Sequence, residues 1–191
     1  MRYDVTVLFA DCRGFTPLAH VLEPEELVRT MNRFFEKTVE ALLRHDACVD
    51  KFLGDEVMAV FGAPIPNPFH AQAALDAAFD IQRAVHELFS KDGRSQGLDV
   101  GIGLNTGEAI VGNVGSPQVM DFTALGDAVN VAAHLQHLAG PGEVLVTEDT
   151  YQALQDPPPA PPPQLVTLKG LTDPVPVRVL QTPKEPVGLA R

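Results

Sequence analysis

"VTVLFADCRGFTPL", residues 5–18, joins an apolar run to a carboxylate, a tight turn and a helical pattern. Six apolar or β-branched residues follow one another from Val5 to Ala10. Such an unbroken run predicts a strand over residues 3–10 that is buried on both faces of a sheet. Asp11 ends the predicted strand, and the turn begins at Gly14. An acid at the end of a rigid, buried strand therefore needs a chemical explanation.

The rest of the chain alternates between strand and helix patterns. Helical spacing of apolar residues predicts helices over 24–45, 69–89 and 126–139. Strand patterns cover two segments that turn at Gly54-Asp55, a hairpin within 98–115, and the segments 143–147, 164–170 and 174–180. This order predicts an α/β sandwich, in which helices flank a mixed, partly antiparallel sheet.

Length and charge restrict the possible functions. The 191 residues fit one domain, which we place at 1–182, followed by a short tail at 183–191. The formal net charge of −11 argues against nucleic acid or an anionic membrane surface as a partner. Two cysteines, no signal peptide and no apolar run of about 18 residues predict a cytoplasmic protein. The early start of the first strand is compatible with a regulatory domain upstream.

Two acids follow or interrupt strand patterns. Asp11 follows the first strand, and Asp55 lies at the turn of the hairpin "KFLGDEV". If the two strands are neighbours, the carboxylates come together and repel each other unless a proton or a cation lies between them. Mg²⁺ suits such a pair, because it takes one or two carboxylates together with substrate phosphate oxygens. Taken singly, each acid also fits an ordinary turn position.

Three motifs occur in a characteristic order and spacing. They are "FADCRGFT" at 9–16, "KFLGDEVMAVFG" at 51–62 and "DFTALGDAVNVAAHL" at 121–135. Together they resemble the class III adenylate and guanylate cyclase catalytic domain over about residues 5–180. The resemblance implies the ferredoxin-like, polymerase-palm-like sheet of that family.

The resemblance also implies a reaction and a set of metal ligands. Asp11 and Asp55 would hold two Mg²⁺ or Mn²⁺ ions, and the turn at Gly14, Phe15 and Thr16 would face the triphosphate. The ribose 3′-hydroxyl would then attack the α-phosphate and release pyrophosphate. The family works as a head-to-tail dimer that shares its sites, so a homodimer is expected.

The resemblance also implies which residues contact the base, the ribose and the phosphates of the nucleotide. Lys51 and Thr123 match the two base-reading positions. Lysine only donates and threonine can accept, which complements adenine N1 and its amino group, so ATP is the expected substrate. Asn130 would orient the ribose, and Lys169 would contact the terminal phosphates. By pattern alone these residues also suit a solvated helix face, a strand end and a hairpin.

The match fails at two positions. His134 stands where the family normally carries a transition-state arginine, and Gln118 stands near a second one. Imidazole is mostly uncharged at pH 7 and cannot fork onto two oxygens as guanidinium does. These differences predict a slow adenylate cyclase. The alternative is a degenerate domain that binds nucleotide or serves dimerisation and regulation.

Overall fold

A computed structural model describes residues 1–90 and 97–183 of the chain. Its strands are β1 (Arg2–Arg13), β2 (Cys48–Leu53), β3 (Glu56–Phe61), β4 (Asp99–Ser116), β5 (Val119–Leu125), β6 (Glu143–Thr147), β7 (Gln164–Val166) and β8 (Val175–Gln181). Its helices are α1 (Phe15–Ala19), α2 (Pro24–Arg44), α3 (His70–Ser90), α4 (Asp127–Leu138) and α5 (Glu148–Gln152). The predicted long helices and most of the predicted strands are confirmed.

The strands form one mixed sheet in the order β2-β3-β1-β4-β6-β8-β7, with β5 paired to β4 beside this path. β4 and β6 run parallel, and the other strand pairs are antiparallel. The predicted mixed, partly antiparallel sheet with flanking helices is confirmed. In this order β1 and β4 are neighbours in the interior of the sheet, and β3 lies on the other side of β1.

Helices cover both faces of the central strands. Leu8, Ala10 and Cys12 of β1 belong to the core that also contains α2 and α3. Their neighbours Val5, Val7 and Phe9 pack on the opposite face with α4 residues such as Ala132. Side chains alternate between the two faces of a strand, so the unbroken apolar run of β1 is explained by burial on both sides.

One expectation about β1 is wrong. The strand does not end at Asp11 but continues to Arg13. Asp11 lies opposite Glu56 of β3 and Gly101 of β4, so its backbone is inside the sheet. Neighbouring strands on both sides extend the ladder past the last apolar residue, which hydropathy alone does not reveal.

The hairpin predicted within 98–115 is also wrong. Residues Asp99–Ser116 form one 18-residue strand, and the chain reverses only at 117–118 to enter β5. The glycines there do not all make turns. A Cβ on Gly103 would lie 2.3 Å from the backbone nitrogen of Gln136, so this glycine lets α4 approach the strand.

The C-terminal part of the chain contains a short helix and a proline-rich segment. The sequence reasoning missed the short helix α5, which is capped by Thr147: the Thr147 hydroxyl accepts from the Thr150 backbone N–H. The segment 157–163 is neither helix nor strand, as its prolines predict. Residues 184–191 of the predicted tail lie outside the described residues, so the boundary at 183 stays a prediction.

Within residues 1–90 and 97–183, no helix is both long and apolar enough to cross a membrane.

Candidate active site

The acidic pair predicted from the sequence lies at one end of β1. The backbone N–H of Cys12 donates to the carbonyl of Asp55 at 3.3 Å, which joins β1 to the β2–β3 turn. Burial and, after it, the nearby Asp55 carboxylate raise the pKa of Asp11 to about 6, against the opposing influence of Arg13. The structure therefore brings Asp11 and Asp55 together in a half-buried position where their charges repel.

Arg13 is a site residue that the sequence reasoning missed. Its guanidinium forms an ion pair with Asp11. It also donates to the carbonyl of Ala139, at 3.0 Å, and to that of Gln136. These carbonyls belong to the last turn of α4 and the residue after it. Residues two apart on a strand share a face, so the spacing of Asp11 and Arg13 in the sequence could have identified Arg13 as a neighbour of Asp11.

The acidic pair has the chemistry of a divalent-cation site. Glu56 lies opposite Asp11, and burial raises its pKa. The Oε1 atom of Glu56 is buried and has no hydrogen-bond partner among the described residues. In the same ranges no group of three or more His, Cys, Asp or Glu side chains is arranged to hold a metal. Asp11 and Asp55 thus fit Mg²⁺ or Mn²⁺ as two oxygen ligands, with the remaining ligands left to water and substrate.

The predicted base-reading pair lies at the edge of the sheet. Lys51 is on β2 and Thr123 is on β5. The Lys51 ammonium lies 3.3 Å from the Asp121 carboxylate and 3.4 Å from that of Asp50. The Thr123 hydroxyl donates to Asp50 at 2.7 Å. The two residues are therefore brought together through Asp50, which the sequence reasoning did not select although it interrupts an apolar strand.

Three further predicted residues line one small cavity. Asn130 and His134 of α4 face Lys169 and Leu171 across a space of about 130 Å³. Asn130 and Lys169 are exposed, and His134 is half-buried. Helical spacing of four residues places Asn130 and His134 on one side of α4. The structure thus groups the residues expected to contact ribose and phosphate.

The conformation of Gly14 and the packing of Phe15 determine the turn after β1. Gly14 has a φ of 84° and precedes α1, a conformation that glycine adopts without strain. The side chain of Phe15 packs against the core, which leaves its backbone as the part able to meet a ligand. Thr16 is exposed. Gln118 is exposed at the turn between β4 and β5.

Residues 2–170 match the sequence model of the adenylate and guanylate cyclase catalytic domain. The chain belongs to this family. It is 36% identical over 156 residues to an adenylate cyclase of Mycobacterium tuberculosis H37Rv, an alignment that covers 81% of this chain and 34% of that protein. It is 35% identical over 138 residues to adenylate cyclase 1 of Rhizobium meliloti, covering 71% of this chain and 21% of the relative. The chain thus spans about a third or less of these curated relatives.

Solved cyclase structures share the fold of this cyclase domain. The adenylyl cyclase CyaB from P. aeruginosa superposes with a TM-score of 0.88 at 31% identity, over 98% of each chain. The guanylyl cyclase Cya2 gives the same TM-score and identity, over 100% of this chain and 98% of the other. Cyclases named for either purine are equally similar, so the choice of base has to be argued from this chain's own residues.

Proposed function

We propose that this cyclase domain is an adenylate cyclase that converts ATP to 3′,5′-cyclic AMP and pyrophosphate. The observation that carries the proposal is the half-buried carboxylate pair of Asp11 and Asp55, whose mutual repulsion a divalent cation would relieve. We place the catalytic domain at 1–182, and the family match over 2–170 supports most of this range.

The proposed reaction is an internal phosphoryl transfer. The ribose 3′-oxygen loses its proton and bonds to the α-phosphorus, while the bond from that phosphorus to the bridging oxygen of pyrophosphate breaks. Two Mg²⁺ or Mn²⁺ ions at the aspartates would supply charge neutralisation at the attacking and leaving oxygens. The chain itself contributes mainly positioning and electrostatic stabilisation, as in other phosphoryl transfers.

Each group of site residues has a role in this proposal. Asp11 and Asp55 hold the cations, and Arg13 anchors Asp11 to the end of α4. Asn130 orients the ribose, and Lys169 meets the terminal phosphates from the other side of their shared cavity. The backbone of the Gly14–Thr16 turn faces the triphosphate.

His134 is the residue from which we expect a low turnover. It lines the same cavity as Asn130 and Lys169, so it is placed to donate to a phosphate oxygen. Imidazole supplies one donor there where guanidinium supplies two and a permanent charge. Removing one aimed donor from a developing oxyanion typically costs roughly 10²–10³ in rate, so the turnover of this cyclase is low.

The proposed assembly is a head-to-tail homodimer with shared sites. Met1 still exchanges hydrogen bonds with Val111 of β4, and beyond that point β4 continues with β5 as an arm. Six large apolar side chains of this arm are between 37% and 70% exposed, namely Ile110, Val114, Val119, Met120, Phe122 and Leu125. Burial of such a surface against a second copy would stabilise a dimer.

The activity is tested by incubating the protein with ATP and Mn²⁺ or Mg²⁺ and measuring cyclic AMP. The matched control is Asp55→Ala, which removes one cation ligand from the turn. Product formation above that control supports the proposal. Equal signals from the two proteins would contradict it.

The shared site is tested by complementation. Asp11→Ala lacks a metal ligand and Lys51→Ala lacks a base contact, so each homodimer should be inactive. If one site uses these residues from different chains, a mixture of the two variants restores one complete site in each mixed dimer. Recovery of activity on mixing is therefore expected, and its absence would refute the shared geometry.

The second candidate is a degenerate cyclase domain that binds nucleotide or regulates an intact partner. It is favoured by His134 and Gln118, which replace the charged donors of the family. Calorimetry would then show ATP binding without cyclic AMP formation, or activity would arise only after a second cyclase chain is added.

A further inference from the structure

We propose that Asp50 selects adenine by fixing the direction of the Thr123 hydroxyl, which makes it a positioning residue for base recognition. This inference rests on the proposed function, because it concerns the base of the nucleotide in that site. It goes beyond the roles of Lys51 and Thr123, since Asp50 would act on the base through Thr123.

Asp50 occupies the extra position of a β-bulge. Val49 pairs with Ala59 and Lys51 pairs with Met58, so Asp50 is inserted between two successive pairs. Consecutive side chains of a regular strand point to opposite faces, whereas a bulge re-aims them. In this case, the Asp50 carboxylate and the Lys51 ammonium approach to 3.4 Å.

The carboxylate of Asp50 is buried and turned toward β5. Its side chain is 2% exposed, whereas that of Lys51 is 29% exposed. Its Oδ2 atom accepts from the Thr123 hydroxyl at 2.7 Å and from the Ala124 backbone N–H at 3.1 Å. Its Oδ1 atom is buried, has no hydrogen-bond partner among the described residues and lies 3.4 Å from the Lys51 ammonium. Removal from water leaves these few groups to satisfy the charge.

This geometry commits the single proton of the Thr123 hydroxyl. A carboxylate only accepts, and a hydroxyl hydrogen bond to it is about twice as strong as a neutral one. The oxygen of Thr123 therefore presents only lone pairs to a nucleotide. An amino group at position 6 of the purine donates to such an acceptor, whereas a carbonyl at position 6 meets it lone pair to lone pair.

Without Asp50 the same threonine has no such preference. A free hydroxyl can rotate to donate to a carbonyl or to accept from an amino group. Asp50 and Thr123 are 73 positions apart in the sequence, so the restriction depends on how β2 and β5 are placed beside each other in the fold. The structure thus assigns the acceptor character of Thr123 to Asp50.

The test compares 2′,3′-dideoxy-ATP with 2′,3′-dideoxy-ITP, which differ at the six-position and its neighbouring N1 and lack the attacking hydroxyl. Their affinities are measured with Mn²⁺ by displacement of a fluorescent ATP analogue from the full chain. Wild type should prefer the adenine compound. Asp50→Ala should lower this preference by roughly tenfold, the value of about one hydrogen bond.

Two further variants keep the result decisive. In Thr123→Val, which removes the hydroxyl, adding Asp50→Ala should change the preference no further. Asp50→Asn keeps the size of the side chain and offers a weaker, neutral acceptor, so its preference should fall between those of wild type and Asp50→Ala. If Asp50→Ala does not fold, the Asp50→Asn result decides.

A purely structural role for Asp50 gives a different result. Both nucleotides would then weaken by the same factor in the variants, and the preference would stay at the wild-type value, which would overturn the inference. A wild-type protein without preference for the adenine compound would also overturn it. Absence of cyclic AMP formation, with the binding preference behaving as expected, would refute the proposed activity and leave the role of Asp50 supported.

Discussion

Replacement of Gly103 by alanine should displace α4 and destabilise the whole domain. Gly103 lies in the centre of β4, opposite Phe9 of β1, and α4 crosses directly above it. An added Cβ would lie 2.3 Å from the Gln136 nitrogen and 2.4 Å from the Ala132 carbonyl oxygen. Those two atoms stand in the i→i−4 relation of a helical hydrogen bond. The methyl group would therefore collide with backbone of the helix and not with a movable side chain.

The expected cost follows from these distances. They fall more than 1 Å short of the ~3.5 Å at which carbon contacts become favourable, so α4 has to move away from the sheet. Overpacking of a core typically costs 1–3 kcal/mol, and we expect about 3 kcal/mol or more because backbone must shift. For a domain of this size that corresponds to a loss of roughly 6–12 °C in Tm.

Urea unfolding and thermal melting measure this effect, and Gly107→Ala is the matched control. Gly107 lies four residues along the same strand and faces the same helix, but an added Cβ would meet only the Ala128 Cβ at 3.4 Å. The control should remain within about 1 kcal/mol of wild type. Equal stability of Gly103→Ala and Gly107→Ala would refute the close approach of α4.

Two further predictions concern single histidines. His134→Arg should raise cyclic AMP turnover by roughly tenfold to a hundredfold, because guanidinium adds a permanent charge and a second donor in the cavity. Initial rates measure this effect, and His86→Arg on the opposite helix layer is the control. An unchanged rate for His134→Arg would show that other groups stabilise the phosphate charge in this site. His70 hydrogen-bonds to Thr6 at 2.8 Å, and burial lowers its pKa against the opposing influence of Asp4. Its contribution to stability is therefore complete above about pH 6.5 and is lost as the pH falls through the lowered value. Unfolding curves between pH 7 and 5 should show a shallower loss for His70→Gln than for wild type, and parallel losses would contradict this assignment.

The site could be predicted from the sequence only as three separate groups of residues. The motifs place Asp11 with Asp55, Lys51 with Thr123, and Asn130 with His134, and the structure brings each pair together. Arg13 and Asp50 were not predicted as site residues. Each makes its decisive contacts with residues that are distant in the chain, such as the Ala139 carbonyl, 126 positions from Arg13.

The lengths of β1 and β4 also could not be predicted from the sequence. Asp11 and Arg13 are polar, so hydropathy ends β1 too early, although β3 and β4 continue the ladder on either side. The glycines of β4 suggest a turn when they are considered locally. In the folded protein, Gly103 makes room for α4.

The sequence by itself determined the alternation of strands and helices, the family motifs and the acids and donors that the chemistry requires. These features are local, because periodicity and spacing follow from the geometry of single helices and strands. The tertiary structure decided which partner each polar group meets. The bulge at Asp50 and the crossing of α4 over β4 determine these contacts. They depend on strand register and packing between distant segments, which no local pattern encodes.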